Sequence, residues 1–216
     1  MPDLSFEIIS ANPARDVIAP ALAFDLRVTN RFPEESIQAI LLRYQIQIEV
    51  ARRRYTPAEQ AQVHDLFDDP ARWGDTLRPI TWVNTCVNIP AFAGTTVHPI
   101  TAPCTFDLNV ATTKYFYGLE GGEVPLMFLF SGSVFFSASS ALRVAPIPWT
   151  KEARSRLPLD IWKSLIDLHY PNAVCLSLDR DVFNELYRFK VSQGLASFED
   201  AIRRILAIAQ EERALR

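Results

Sequence analysis

The sequence has few of the residues that build metal sites and disulfide frameworks. Its 216 residues include three cysteines, Cys86, Cys104 and Cys175, and three histidines, His64, His98 and His169. The cysteines are far apart and form no C-x-x-C pair, so a disulfide scaffold is not expected. The histidines share no spacing, with one another or with a cysteine, that would bring metal ligands together. We therefore predict no metal site.

The sequence also lacks a long apolar run and a secretory signal. Its most apolar segment, "VPLMFLFSGSVFF" at 124–136, has 13 residues, whereas a membrane-spanning helix needs roughly 18 or more. The N-terminus, "MPDLSFEIISANPARD", has no basic region followed by an apolar core and a cleavage site. We predict no membrane span and a cytoplasmic location.

Signatures of catalysis and cofactor binding are missing as well. The segment "FSGSVF" at 130–135 lacks the second glycine of the G-x-S-x-G nucleophile turn. No glycine-rich loop follows a strand and opens a helix, so phosphate binding has no support. The acidic pairs of "HDLFDD" and "EGGE" are expected at a helix end and in a turn, where carboxylates are solvated. We predict no catalytic residue, no cofactor-binding residue and no cofactor, and hence no enzyme.

The composition is that of an ordinary globular protein. Apolar residues make up 49% and charged residues 22% of the chain, with a net charge of −3. Residues 1–149 carry 11 basic and 15 acidic side chains, and residues 150–216 carry 11 and 10. Neither part has the positive charge that nucleic-acid binding uses, so no nucleic-acid partner is expected.

Alternating apolar residues predict an antiparallel β-rich region up to about Trp149. The segments "ALAFDLRVTN" at 21–30 and "LLRYQIQIEV" at 41–50 alternate with a period of two. Between further strands, "TPAEQAQVHDLF" at 56–67 predicts a short helix with a capping box. The pattern predicts six or seven strands before residue 120, one of them in "CTFDLNV" at 104–110.

The segment "EGGEVPLMFLFSGSVFF" at 120–136 predicts a buried strand that follows a hairpin turn at "EGGE", with "KYFYGL" at 114–119 as the preceding strand. Because its apolar residues do not alternate, we expect both faces of this strand to be covered. The interruption at Ser131, Gly132 and Ser133 predicts a bulge or a close approach by another backbone.

After Trp149 the period becomes helical. Helices are predicted from near Pro158, after Asp179 and after Ser197, with a short strand at "AVCLSL", 173–178. The predicted fold class is α+β, an antiparallel β-rich, sandwich-like N-terminal region followed by a helical one. The predicted domains are 1–149, a β-rich domain with a short inserted helix, and 150–216, a helical region packed on it.

Three features bear on function beyond these absences. The strand, helix and helix order at 174–206 is similar to a ribbon-helix-helix DNA-binding unit, but its strand offers no positive charge. The Arg52, Arg53 and Arg54 run is expected to be solvated at a strand end. The 24 aromatic residues, notably "YFY" at 115–117 and Trp149, mark a protein-binding surface wherever they are exposed.

The segments "FYGLEGGEVPLMFLFSGSVFF", "APIPWTKEARSRLPLDIWKSLIDLHYPN" and "LSLDRDVFNELYRFKVSQGL" together resemble an uncharacterised bacterial family of unknown function. This resemblance implies a gene context near uptake nickel-iron hydrogenases and carries no site residue. We therefore expect a non-enzymatic accessory protein that binds another protein, a hydrogenase subunit in particular. The alternatives are a DNA-binding regulator and an enzyme with an unrecognised site, and the oligomeric state stays open.

Overall fold

A computed structural model of the chain describes residues 2–15, 17–32, 35–105, 110–138, 141–174 and 176–214. The chain divides into two compact units, Met1–Ala173 and Val174–Arg216. The strands of the first unit are β1 (Leu4–Pro13), β2 (Ala21–Asn30), β3 (Ser36–Ile48), β4 (Ile80–Ile89), β5 (Thr95–Pro103), β6 (Glu123–Ala138), β7 (Ala141–Ile147) and β8 (Glu152–Pro158). Its helices are α1 (Pro57–Gln62), α2 (His64–Phe67), α3 (Trp73–Thr76), α4 (Val110–Tyr117) and α5 (Leu159–His169), and the second unit contains α6 (Arg180–Ser192) and α7 (Phe198–Ala214).

Two antiparallel sheets form the first unit. The smaller sheet has the order β1-β2-β5, and the larger has the order β4-β3-β6-β7, with β8 also paired to β6. Their inner faces meet, since Phe6 stacks on Phe130 at 4.5 Å and Phe24 contacts Phe128 edge-on at 5.2 Å between ring centroids. The predicted α+β fold with an antiparallel, sandwich-like N-terminal region is confirmed.

The alternation in β2 and β3 determines which side chains enter the core. Leu22, Phe24 and Leu26 of β2 are fully buried, as are Ile40 and Leu42 of β3. The residues between them face outward and are only partly covered or exposed. Each fully buried side chain of this kind stabilises the fold by about 1.5–3 kcal/mol relative to exposure, so these two strands hold the sandwich together.

Strand β6 is interior, as predicted, but it is sheltered fully on one face only. It pairs with β3 along one edge and with β7 and β8 along the other. Phe128 and Phe130 on its inner face are buried, whereas Met127, Leu129 and Phe135 on its outer face are half-buried. The prediction of two fully covered faces was wrong, because the core of the sandwich lies on one side of the sheet.

Gly132 allows a close approach between β6 and β3, as the sequence predicted. A Cβ at this position would lie 2.0 Å from the carbonyl oxygen of Leu41 and 3.3 Å from the backbone nitrogen of Arg43. Its φ of +133° also lies where side-chain-bearing residues are rare. A residue larger than glycine would therefore push the two central strands apart.

The hairpin predicted at "EGGE" is wrong, because a helix precedes it. The residues "KYFY" at 114–117, expected as a strand, lie in α4, and of "CTFDLNV" only Val110 falls in a described element, as the first residue of that helix. Residues 106–109 lie outside the described residues. Aromatic and β-branched residues favoured a strand, but Thr112, Tyr115, Phe116 and Leu119 are buried at helical spacing. Five strands, not six or seven, precede residue 120 in the described chain.

The β-rich part of the chain continues past Trp149. Strand β8, which was not predicted, pairs with Glu123–Leu129 of β6, and the compact unit that contains it ends at Ala173. Helices α5, α6 and α7 begin near Pro158, Asp179 and Ser197, as predicted. The strand predicted at 173–178 is absent from the described residues of that segment, and Cys175 lies outside them. Packing of the helical region on the first unit stays a prediction.

Candidate protein-binding surface

The described histidines and cysteines that were considered as metal ligands lie on different elements or outside them. His64 is on α2, His98 on β5, and His169 ends α5, where its Nδ1 is 3.0 Å from the Leu165 carbonyl oxygen. Cys86 is exposed on β4, whereas Cys104 is buried, and this burial raises the pKa of its thiol to about 12. Among the residues that the structure describes, no three His, Cys, Asp or Glu side chains are grouped to hold a metal ion.

The acid–base groups with the most perturbed pKa values lie in the core. The Tyr55 and Tyr115 hydroxyls are 2.9 Å apart. Burial raises the pKa of Tyr55 to about 12 and raises that of Tyr115 further. Neither tyrosine lines any of three cavities of the first unit, whose volumes are about 610, 190 and 850 Å³. The geometry brings neither phenol to a site that a substrate could reach through these cavities.

Arg53 is not solvated, contrary to the prediction for the arginine run. Its side chain is 8% exposed and that of Glu59 is 3% exposed, and their charged groups are 2.7 Å apart. Glu59 also accepts hydrogen bonds from the backbone N–H groups of Thr56 and Glu120, and Arg53 donates one to the Gly121 carbonyl. This buried ion pair ties the start of α1 to the loop before β6. The capping-box pattern at Thr56 predicted the place of Glu59 in the sequence, but no local pattern predicted that Arg53 pairs with it.

A contiguous apolar area lies on the outer face of the larger sheet, on three neighbouring strands. Its members, which we call the outer-face patch, are Leu41, Phe135, Leu142, Val144 and Pro146. Val144 is opposite Phe135 in the register of β7 and β6, and Leu41 and Pro146 are both opposite Ser133. Leu41, Leu142 and Val144 are each more than half exposed.

Strand β7 forms part of the sheet edge in the described chain, since it pairs only with β6. An exposed edge strand with apolar side chains favours association with another chain. Pro146 limits such pairing because it has no backbone N–H to donate. The apolar face beside this edge is therefore the more accessible docking feature.

Trp149 follows this strand in a tight turn. Its side chain is 84% exposed, and the turn is closed by a hydrogen bond from the Lys151 N–H to the Pro148 carbonyl. Of the other aromatic residues highlighted in the sequence, Tyr115 and Phe116 are buried, and Tyr117 is about half exposed. Trp149 is thus the most exposed of the highlighted aromatic residues.

With this geometry established, the chain can be compared with known proteins. Residues 1–214 match the family of unknown function DUF6084. The chain belongs to this family. No curated protein matches the chain. Membership of DUF6084 confirms that the chain belongs to an uncharacterised family and assigns no activity to its members.

Two further properties bear on the partners of this DUF6084 chain. In the described residues, no helix has both the length and the apolar content that crossing a lipid bilayer requires. The second unit carries seven basic and seven acidic side chains. The two helices expected of a ribbon-helix-helix unit are present, but this balanced charge offers little attraction to phosphates.

Proposed function

We propose that this chain is a non-enzymatic protein-binding protein that docks its partner on the outer-face patch and Trp149. The observation that supports this most directly is the exposure of Trp149 immediately after the apolar edge strand β7. Tryptophan is enriched among the few residues that dominate binding energy at protein interfaces. A large aromatic side chain in water beside an apolar sheet face is typical of such a site.

The chemistry of the surface favours a protein over a small ligand or a nucleic acid. The outer-face patch consists of uncharged side chains on one face of a sheet, whereas small molecules bind in concave pockets. Protein interfaces have an uncharged, aromatic-rich centre surrounded by a polar rim. Arg43 on β3 is exposed on the same face as Leu41 and would supply part of such a rim.

The more specific part of the proposal concerns the identity of the partner. We propose that it is a subunit of a nickel-iron hydrogenase, and that the chain acts in the cytoplasm to assist assembly or stability of that enzyme. This part depends on the resemblance of the sequence to a family encoded near uptake hydrogenase genes. The physical proposal of a docking surface is independent of it.

Substitutions at the surface test the proposal. Tagged wild-type, Trp149→Ala and Val144→Glu chains would be purified from the native host at equal expression, and co-purifying proteins quantified by mass spectrometry. Loss of a binding tryptophan costs about 2 kcal/mol or more, so we expect roughly a 30-fold weaker interaction. Phe32→Ala and Val97→Glu are the controls, because both side chains are about half exposed and lie outside the patch.

The two parts of the proposal fail separately. Equal recovery of all partners with the wild-type chain and both surface variants would refute the docking surface. If the wild-type chain recovers a partner that the variants lose, but this partner is not a hydrogenase subunit, only the identity proposed for the partner would be refuted.

A further inference from the structure

A cleft of about 610 Å³ opens in the first unit, at the end of β6 away from the outer-face patch. Its lining contains three arginines, Arg52, Arg154 and Arg156, but a single acidic residue, Glu49. We call this site the arginine cleft. Three guanidinium groups and one carboxylate give its lining a net charge of +2. A concave site with an excess of one charge attracts ligands of the opposite charge.

The fold brings these charged residues together from distant parts of the chain. A 3-10 turn follows β3 and ends at Arg52. Just before this turn, Glu49 donates its backbone N–H to the Pro125 carbonyl at the start of β6, and Pro125 is opposite Arg156 in the register of β6 and β8. In β8, Arg154 and Arg156 alternate with buried residues, so their side chains lie on the solvent side of the strand. The turn and β8 therefore flank β6 at Pro125.

Glu49 holds two of the arginines in place without using their hydrogen-bond donors. Its side chain is 13% exposed, and its carboxylate oxygens are 3.0 Å from the Nε of Arg52 and 3.7 Å from the Nε of Arg154. Neither contact has the directed geometry of a hydrogen bond in the described chain, whereas Arg27 on β2 donates a hydrogen bond of 2.7 Å to Glu7. Because a guanidinium has five N–H donors, Arg52 and Arg154 can still donate to a ligand.

The other ion pairs of these arginines involve glutamates outside the lining of the cleft. Arg154 is 3.2 Å from Glu152, and Arg156 is 3.8 Å from Glu123. All four side chains are between 43% and 64% exposed, and exposed pairs of this kind are weak because water solvates both charges. An anion in the arginine cleft could therefore replace the two glutamates as the partner of Arg154 and Arg156.

We propose that the arginine cleft binds a dianionic phosphate group, of the kind that a phosphate monoester carries. Arginine is suited to this ligand, since its planar guanidinium can donate two parallel N–H groups to one phosphate. A phosphate monoester has a charge of about −1.5 to −2 at neutral pH, which matches the +2 of the lining. This proposal goes beyond the proposed function and does not depend on it.

The arginine cleft has room for more than the phosphate group. Its volume of about 610 Å³ falls within the range of small-molecule sites, roughly 300–1,000 Å³. Pro125 and Leu126 line the cleft beside the arginines and would contact the organic part of the ligand, and Ser155 adds a hydroxyl group. A phosphodiester carries only one charge per phosphate, so the charge match favours a small phosphate monoester over a nucleic-acid backbone.

Calorimetric titration of the purified full-length chain with phenyl phosphate tests the proposal. Phenyl sulfate, which has nearly the same shape but a single negative charge, is the ligand control and should bind about 10-fold more weakly at constant ionic strength. Arg154→Gln and Arg156→Gln should each weaken the binding of phenyl phosphate about 10-fold or more, because a hydrogen bond to a charged group is lost. Arg27→Gln is the matched control and should bind like wild type, because Arg27 lies on the other sheet and is 43% exposed, against 48% for Arg154. Glu123→Gln should tighten binding about 2-fold, because it frees Arg156 from its ion pair.

All four tryptophans, Trp73, Trp82, Trp149 and Trp162, lie in the first unit, so their fluorescence checks that each variant retains a folded sandwich. A wild-type chain that takes up no phenyl phosphate at millimolar concentration would overturn the proposal. So would binding that persists in both arginine variants, because it would use another site, and so would equal affinity for phenyl sulfate. Tighter binding of succinate than of phenyl phosphate would assign the arginine cleft to dicarboxylates and refute the phosphate ligand. Partner recovery with Trp149→Ala is a separate measurement, so failure of the docking surface would be seen independently.

Discussion

The first unit buries its apolar residues within itself, whereas the second leaves most of its own exposed. In the sandwich, Phe24, Phe128 and Leu42 are inaccessible to solvent. In the second unit, Tyr187 and Leu206 are more than half exposed although they follow a helical pattern of equal regularity. The regular spacing of apolar residues therefore specifies secondary structure in both units. It produces a core only where layers of secondary structure pack against each other.

Paired glycine substitutions should give the largest difference between the units. Gly132→Ala in the first unit would place a methyl group against the Leu41 carbonyl, where neither strand can yield without losing its pairing. We expect a loss of about 4–5 kcal/mol or failure to fold. Gly194→Ala in the second unit meets nothing within 4 Å and carries only the strain of φ +65°, so about 1–2 kcal/mol is expected.

Urea unfolding followed by tryptophan fluorescence measures the first effect, and the far-ultraviolet circular dichroism of the helices measures the second. Equal costs at Gly132 and Gly194 would contradict the tight contact between β3 and β6.

Two ion pairs sharpen the comparison at a smaller scale. Glu59→Gln removes one charge from the buried pair with Arg53 and leaves the guanidinium without its counterion. Breaking such a pair costs about 3–5 kcal/mol. Glu199→Gln breaks the pair between Glu199 and Arg203 on α7, whose side chains are both largely exposed. No measurable loss is expected there, because water already solvates both groups. Thermal unfolding of both variants tests this. A Glu59→Gln variant as stable as wild type would refute the stabilising role of the Arg53–Glu59 pair.

The smallest expected difference concerns pH. Burial lowers the pKa of His98 below 6.5, so on acidification the unfolded chain takes up this proton before the folded first unit does. The free energy of unfolding should therefore decline as pH falls below about 6.5, until the folded pKa is reached. The His98→Gln variant should show a shallower decline between pH 7 and 5 in urea titrations.

In the second unit, we expect the loss of stability on acidification at lower pH, where Asp200 takes up a proton. The hydrogen bond from the Ser197 hydroxyl holds the pKa of Asp200 below 3.8. Its stabilising contribution is present above about 3.8 and is lost as pH falls through the folded pKa. Far-ultraviolet circular dichroism of the wild-type chain and the Asp200→Asn variant checks this. If the helical signal of both declined between pH 7 and 5, a group other than Asp200 would determine the pH dependence of this unit.

Local patterns were sufficient to predict several elements. The alternation at Leu22, Phe24 and Leu26 predicted β2, and the Thr56 capping box predicted α1. Gly194 marked the end of α6, where its N–H donates to the Val191 carbonyl. Such signals act within a few residues, so no distant contact is needed to recognise them.

Other elements depended on contacts that are distant in the chain. Helix α4 was mistaken for a strand, because the burial of Tyr115 and Phe116 outweighs their preference for strands. Strand β8 is defined by its pairing with β6, since "EARSRLP" has little apolar pattern. Of the candidate surface, the sequence identified Trp149 but not Leu142 or Val144, whose exposure depends on β7 lying at the sheet edge.

The order of side chains along the backbone was enough to specify the α+β class, the central strand β6, the glycine at its close contact and the last three helices, because these follow from short-range periodicity and capping. Outside the alternating strands, tertiary structure decided which faces lie in water. Solvent exposure depends on which strands become neighbours, and that is why the outer-face patch, the buried Arg53 and Glu59 pair and the uncovered helices emerged only in three dimensions.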